Sequence, residues 1–279
     1  MDGAELESIV QSSSAYSVEL VDIVKEFIPA DGKGKLRVID GLTIRVRNGS
    51  FSVIIGPSGC GKSTLLNIVS GITGVENGRI LVNGQDINAN PEYRKKIGYV
   101  FQSPRLLEWR TLKENVKFAL KAIGSTPKER WDEVAERYLK LVGLDGFVNY
   151  YPLQVSGGMQ QRAAIARAFA INPQILLMDE PFSHLDEITA ETLRNELIRI
   201  WAEEGLRKTV VFVTHDLREA VYLADEVFML TSRPARLYKH YIVDVPRAAR
   251  TPESEELFEI FKRISKDFHE MIKSGGVES

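Results

Sequence analysis

One cysteine, Cys60, stands alone in 279 residues, so intrachain disulfides and cysteine metal clusters are excluded. Neither charge dominates. With 36 Lys and Arg against 38 Asp and Glu, the net charge of −2 gives no electrostatic reason to expect a nucleic-acid partner. No apolar run reaches the roughly 18 residues of a membrane-spanning helix. The polar, serine-rich opening also lacks the basic and apolar regions of a secretion signal. The expectation is a soluble protein that stays in the cytoplasm. Internal repeats and low-complexity tracts are missing as well, and the length permits two domains or one elaborated domain.

Residues 1–17 are expected to form a mobile N-terminus. Val18 to Phe27 then begins an apolar alternation of strand type, and Pro29 to Gly34 reads as an exposed hairpin loop. Asn83-Gly84, between two short apolar segments, supplies the positive φ of a two-residue hairpin turn. Antiparallel strands therefore dominate the front of the chain. Thr126-Pro127-Lys128-Glu129 has the form of a capping box before Trp131, Val134, Ala135, Tyr138, Leu141 and Val142, which recur at helical spacing. Three short apolar runs, Ile175 to Met178, Val210 to Val213 and Val227 to Leu230, have the character of buried parallel strands. The expected architecture is a layered α/β sheet with an antiparallel β subdomain and a helical insertion at about residues 103–171. Thr251-Pro252 is expected to start a last helix whose Leu257, Phe261, Ile264, Phe268 and Met271 form one apolar face against that core.

What is present in strength is Gly56-Pro57-Ser58-Gly59-Cys60-Gly61-Lys62-Ser63-Thr64, between the apolar strand Phe51 to Ile55 and a helix-forming segment. Glycines let successive N–H groups converge on an anion, and the helix N-terminus adds partial positive charge. Lys62 would reach β- and γ-phosphates and Ser63 a Mg²⁺ ion, making the loop a nucleoside triphosphate cradle. A plain tight turn would leave the Lys-Ser pair unexplained. Cys60 reads as a small residue in a crowded loop.

Asp179-Glu180 ends a buried strand, where an α/β sheet presents its chemistry. Successive strand side chains diverge, so Asp179 suits the metal and Glu180 the attacking water. Gln102 and His215 also follow candidate strands. A glutamine there can ligate Mg²⁺ and orient water, and a histidine can bond the γ-phosphate; singly, a loop cap and a structural histidine are the plainer readings. Ser156 is a good N-cap for the helix opening Gly157-Gly158-Met159, and two glycines in a first turn cost stability unless their exposed N–H groups bind an anion.

These motifs, with Ser183-His184-Leu185-Asp186, occur in the order found in ABC transporter ATP-binding subunits, and the chain resembles that family from about Val18 to Leu230. The segment 156–169, the segment 106–116 and Thr231 to Leu237 look like the nitrate, sulfonate and taurine importer branch. The resemblance implies a P-loop NTPase core of RecA type spanning residues 18–246, a C-terminal helical extension over 247–279, and a dimer that sandwiches two ATP molecules. It implies that Lys62, Ser63 and Asp179 hold phosphate and Mg²⁺, that Glu180 is the general base, and that Gln102 senses the metal. His215 would contact the γ-phosphate, and Ser156, Gly157, Gly158 and Met159 the nucleotide of the partner. Phe27 stands where an aromatic stacks on adenine, with an ordinary core aromatic as the equal alternative.

Val155 and Met159 replace the leucine and glutamine of many members of the wider family, methionine being usual in the branch; His184 replaces an alanine at the dimer contact, and Glu108 a proline. Partners implied are a second copy, a permease docked on Pro104–Val116 and, indirectly, a solute-binding protein, with the subunit on the cytoplasmic face of the membrane. Leu106, Leu107 and Trp109 would form that docking surface, or else pack inside the helical insertion. The solute stays open among nitrate, sulfonate, taurine, bicarbonate and vitamin precursors. A soluble ATPase acting on nucleic acid or ribosomes is the rival reading, without the coiled-coil insertion or second cassette usual there. Glu180 and His215 argue against a module that binds ATP without hydrolysing it.

Overall fold

A computed structural model describes residues 15–29, 32, 34–183, 185–203, 208–251 and 254–275. Expectations for most of the N-terminus, for His184, for Pro252 and for part of the 29–34 loop fall outside these residues.

Two sheets form the molecule. Twelve-residue strands β1 (Tyr16–Phe27) and β2 (Leu36–Arg47) pair antiparallel, and β1 also pairs with β4 (Asn77–Val82), which turns into β5 (Gln85–Asp86). That turn has Asn83 and Gly84 at φ of 49° and 75°, the double positive φ expected of Asn-Gly between opposed strands. The second sheet runs β10-β9-β3-β8-β7-β6. Its members are β3 (Phe51–Ile55), β6 (Ile97–Val100), β7 (Ile175–Asp179), β8 (Thr209–Thr214), β9 (Glu226–Leu230) and β10 (Leu237–Ile242). All pairs are parallel except β9 with β10. Every residue of β3, β7, β8 and β9 is buried, which explains why these strands read as continuous apolar runs without alternation.

The sheets are joined by a buried carboxylate. Glu226 of β9 accepts from the Ser52 hydroxyl at 2.6 Å and the Arg47 backbone N–H at 3.1 Å. His240 and the Arg47 guanidinium contact its other oxygen. These donors outweigh burial and hold its pKa down to about 2.

Helix α1 (Lys62–Val69) follows β3 directly, while α2 (Leu112–Ile123), α3 (Trp131–Leu141) and α4 (Gly157–Ala170) lie between β6 and β7. Leu112, Val116, Leu120, Ala135, Leu139, Ala163 and Phe169 pack the three into one cluster continuous with the sheet. Thr111, not Thr126, makes the capping box here: its hydroxyl accepts from Glu114 N–H, and Glu114 accepts from Thr111 N–H. At Thr126 the expected box does not form. A 3₁₀ turn over Lys128–Arg130 intervenes, the helix starts at Trp131, and the Trp131 indole takes the Thr126 carbonyl at 2.9 Å.

Helices α5 (Glu187–Glu203) and α6 (Leu217–Leu223) complete the sheet layers. Helix α7 (Glu255–Gly275) lays Leu257, Ile264 and Met271 into the core, with Phe261 and Phe268 half-buried beside them, as its apolar stripe predicts. Among the described residues no helix is long and apolar enough to cross a membrane.

Candidate active site

Four adjacent parallel strands, β3, β8, β7 and β6, end at one edge; Gly56, His215 and Glu180 directly follow the first three, and Gln102 comes two residues after β6. Gly56 follows β3, and its missing side chain is required. A Cβ there would meet Cys60 Sγ at 2.9 Å and the Leu230 carbonyl at 3.2 Å. Cys60 is buried in the apolar cluster behind the loop, and burial pushes its thiol pKa up, so the residue acts as packing. Gly61 is the N-cap of α1 at φ 124°, where a side chain would strike Val38 Cγ1 at 2.9 Å. The first turn of α1 thus opens its N–H groups toward the strand edge with no capping side chain in the way. Pro57, Ser58, Gly59 and Thr64 complete the loop, with Ser58 and Gly59 exposed.

Lys62 is buried, yet donates to the Gly56 carbonyl at 2.9 Å and the Pro57 carbonyl at 3.1 Å, with Glu180 Oε1 3.8 Å away. An ammonium held by carbonyls across the mouth of its own loop is placed to move onto an entering anion. Ser63 donates to Asp179 Oδ1 at 2.9 Å. Burial raises the Asp179 pKa, the Ser63 bond acting against it and the neighbouring Glu180 charge adding to it. A hydroxyl and a carboxylate side by side are hard oxygen donors. They fit Mg²⁺, which takes its remaining ligands from phosphate oxygens and water.

Asp179 and Glu180 face different partners, as expected, but strand alternation is not what separates them. Glu180 lies just beyond β7 in the left-handed region at φ 43°, while its N–H still donates to Val213 of β8. That backbone is unfavourable for a side-chain-bearing residue and marks a position fixed by its surroundings. The turn keeps Glu180 at the same edge as Asp179, with its Oε2 3.0 Å from His215 Nδ1, a distance for donation by the ring when Nδ1 carries the proton. Asp179 faces Ser63, and Glu180 faces Lys62 and His215. Gln102 is exposed after β6, and its amide donates to Ser183 Oγ at 3.4 Å, a long bond, leaving its amide oxygen as the candidate cation ligand.

The remaining sequence candidates lie elsewhere. Ser156 caps α4 by accepting the Met159 N–H at 3.3 Å, and the Met159 side chain is partly buried against the core. A Cβ at Gly157 would meet nothing within 4 Å. Phe27, 41% exposed, is not a core aromatic. Its ring carries the Lys25 ammonium 5.0 Å from its centroid.

Three groups escaped the sequence reading. Gln161 and Arg167 of α4 grip the segment after β6 through the carbonyls of Phe101, Pro104 and Arg105. Buried Asn115 accepts the Leu107 N–H and donates to the carbonyls of Leu107, Arg110 and Thr111, shaping the loop that presents Trp109, itself 73% exposed. Arg233 binds the phosphate loop. Gln161 and Arg167 share one helix but lie six residues apart, about 120° round its axis, so periodicity does not group them, and nothing in the sequence announced their acceptors.

A buried parallel strand, a glycine loop at a helix N-terminus, a lysine and paired carboxylates at the same edge define a P-loop nucleoside triphosphatase. The family profile described as ABC transporter matches residues 39–183. An uncharacterized ABC transporter ATP-binding protein of Methanocaldococcus jannaschii is 44% identical over 230 residues, 82% of this chain and 84% of the relative. The aliphatic sulfonates import ATP-binding protein of Bacillus licheniformis is 41% identical over 86% of this chain and 91% of its own length. For the nitrate import ATP-binding protein of Synechocystis sp. the values are 39%, 85% and 86%. A dimeric ATP-binding cassette solved in a post-hydrolysis state with ADP and Pi superposes with a TM-score of 0.73, 32% identity, 82% of this chain and all of that one. The chain belongs to the ABC transporter ATP-binding family and has the ABC cassette fold.

Proposed function

We propose that this chain is the ATP-hydrolysing subunit of an importer, driving a small nitrate- or sulfonate-type solute through a separate permease. The observation that carries the reading is the convergence of Lys62, Ser63, Asp179, Glu180 and His215 on one strand edge. The solute class rests on the named relatives, which import aliphatic sulfonates and nitrate.

In the reaction ATP and water become ADP and phosphate, with no covalent intermediate, so positioning and charge carry the rate. Lys62 leaves its carbonyl partners for the β- and γ-phosphates. Glu180, turned toward Lys62 by its left-handed backbone, takes a proton from the attacking water, and His215 holds Glu180 and bonds the γ-phosphate. Ser63 and Asp179, with the amide oxygen of Gln102, would hold Mg²⁺, which would supply charge neutralisation for the phosphates.

A second copy supplies its Ser156–Gly158 turn to the γ-phosphate. Gly157 has open space around it, so no contact within the chain requires glycine there, and an approaching phosphate does. Phe27 stacks on adenine. Closure around ATP reaches the permease through Gln102, the segment held by Gln161 and Arg167, and exposed Trp109. The subunit works as a peripheral protein on the cytoplasmic face of the membrane.

Tagged Glu180→Gln protein, purified in detergent from native membranes with ATP, tests the proposal. Recovery of a multi-spanning membrane protein supports it, and that partner's solute can then be identified. Recovery of soluble partners or ribosomes alone rejects the importer.

A further inference from the structure

Beyond the loop, its lysine and the carboxylates, one more cation touches the phosphate cradle. Arg233 donates to the Gly59 carbonyl through both Nε, at 3.2 Å, and Nη2, at 2.6 Å. It comes from the connection between β9 and β10, 174 residues further along the chain.

That connection is built to hold the arginine still. Thr231 N–H donates to the Arg236 carbonyl and Thr231 Oγ1 accepts from Arg236 N–H, closing the loop on itself. Ala235, fully buried, donates to the Val38 carbonyl at 2.8 Å and accepts from Asp40 N–H at 3.1 Å, a lone parallel bridge to β2. Arg236 pairs with Asp40. The loop is therefore laced to the antiparallel sheet on one side while Arg233 reaches the phosphate loop on the other. An exposed arginine on a free loop would lose much of such a bond to side-chain entropy; this one starts from a fixed base.

The acceptor matters as much as the donor. Gly59 has φ of +73° and Gly61 of +124°, so the loop contains two residues free to rotate through backbone states closed to others. In a trans peptide the carbonyl and the next N–H point opposite ways. With the Gly59 carbonyl drawn to Arg233, the Cys60 N–H points the other way, donating at 3.2 Å to the Pro57 carbonyl, the same carbonyl that Lys62 takes across the mouth of the loop. Rotation of that peptide would turn a carbonyl oxygen into a cradle meant for phosphate.

We propose that Arg233 is a positioning residue for nucleotide, locking the Gly59–Cys60 peptide in its anion-binding orientation by a two-pronged bond delivered from the loop between β9 and β10. The proposal rests on the ATP-binding reading of the site and extends it to a residue outside the glycine loop. Because the peptide belongs to the cradle and not to the hydrolytic carboxylates, ATP and ADP are affected alike.

The test is binding of ATP and ADP to the full chain by isothermal calorimetry, with steady-state ATPase kinetics. Arg233→Ala is expected to raise both dissociation constants about tenfold, the loss of one charge-assisted hydrogen bond. KM for ATP rises by a similar factor, while kcat changes less than about threefold. Arg233→Lys keeps the charge without the planar fork and is expected to remain at least about fivefold weaker than the parent. Constants for Arg233→Ala within about twofold of the parent overturn the proposal, and so does full recovery in Arg233→Lys, which would reduce the effect to charge alone. Should Arg233→Ala fail to fold by circular dichroism, Arg233→Lys decides on the same thresholds. Tight binding by parent and variant alike defeats this proposal only, whereas a parent that binds no ATP defeats the functional reading with it.

Discussion

Helices α1 and α4 both have glycine at their start, as the N-cap of α1 and in the first turn of α4, and both have an uncapped or lightly capped N-terminus, yet they are furnished differently. Helix α1 carries its own chemistry: Lys62 is bonded to two loop carbonyls and Ser63 to Asp179, so every charged partner is already in the chain. Helix α4 has a serine cap and open space at Gly157, with Leu185 and Thr189 the nearest groups to Gly158 and no acid, base or cation in its first turn. The first end can bind phosphate and react with it. The second can only complete a site brought to it, which is the physical case for a nucleotide shared between two copies. Whole and half sites fail in different ways, and that difference is open to measurement.

The largest effect is expected at the furnished end. Glu180→Gln keeps size and most contacts but removes the proposed base beside Lys62 and His215. Single-turnover ATPase should fall about 10²–10³-fold, the typical loss for one well-placed catalytic group, with ATP still bound. Hydrolysis at the parental rate would refute the assigned base. Lys62→Ala should lose binding and turnover together, because its ammonium serves the nucleotide in both.

The half site gives a sharper contrast. Gly157→Ala meets no atom within 4 Å and lies at ordinary backbone angles, so the folded chain should be unchanged or gain about 0.5 kcal/mol in urea unfolding from its better helix propensity. In the proposed shared site its Cβ would project toward the partner's phosphate, and displacement of about 1 Å at a reacting group costs about 10² in rate. A variant that is at least as stable as the parent and about a hundredfold slower would separate a role between copies from one within the fold. Equal turnover at equal stability would leave α4 an ordinary capped helix.

The contrast also decides how far sequence could be read. The contiguous elements were legible: the phosphate loop, the acidic strand end, the Asn83-Gly84 turn and the Ser156 cap all depend on neighbours a few residues apart. The buried strands announced themselves because both faces of the sheet are covered, and α7 because its stripe is regular. Arg233, Gln161 and Asn115 were invisible as actors, since each bonds a backbone carbonyl that carries no side-chain signature, and the partners of Arg233 and Gln161 lie 174 and 60 residues away. The place of Glu180 beside Lys62 and His215 was only partly legible, because alternation along a strand says nothing of the left-handed residue that follows it. At Thr126 the box failed because a 3₁₀ turn over Lys128–Arg130 delays the helix to Trp131, so Glu129 is not in the register that a cap at Thr126 needs.

Farther from either helix start, Trp109→Ala is expected to leave turnover of the isolated subunit within about twofold while cutting permease-stimulated turnover about tenfold, the size of an exposed aromatic anchor. Thermal unfolding checks the alternative. At 73% exposure the indole contributes little to folding, so a marked fall in stability would place it in the core of the helical insertion and remove the docking role.

A third helix start tests the same logic from the opposite side, with the smallest effect on activity. Helix α6 begins beside His215, but its N-terminus is filled by its own chain: Asp216 accepts the N–H groups of Arg218 and Glu219, and buried Glu219 lies 3.6 Å from Arg194. Burial pushes the Glu219 pKa up to about 7 from an ordinary 4.5, against the Thr214 hydroxyl and the Arg194 charge. A carboxyl whose folded pKa lies above its unfolded one binds its proton more tightly in the native chain. Stability is therefore highest below about pH 4.5, falls as pH rises toward 7, and is level above, the whole contribution being about 3 kcal/mol. Glu219→Gln should flatten that slope in urea titrations between pH 5 and 8 and raise the midpoint at pH 8, with ATP turnover within about threefold of the parent. If the slope survives the substitution, the charge in α6 is not what sets it, and the distinction between a helix end that waits for an anion and one that already holds its own loses its clearest example.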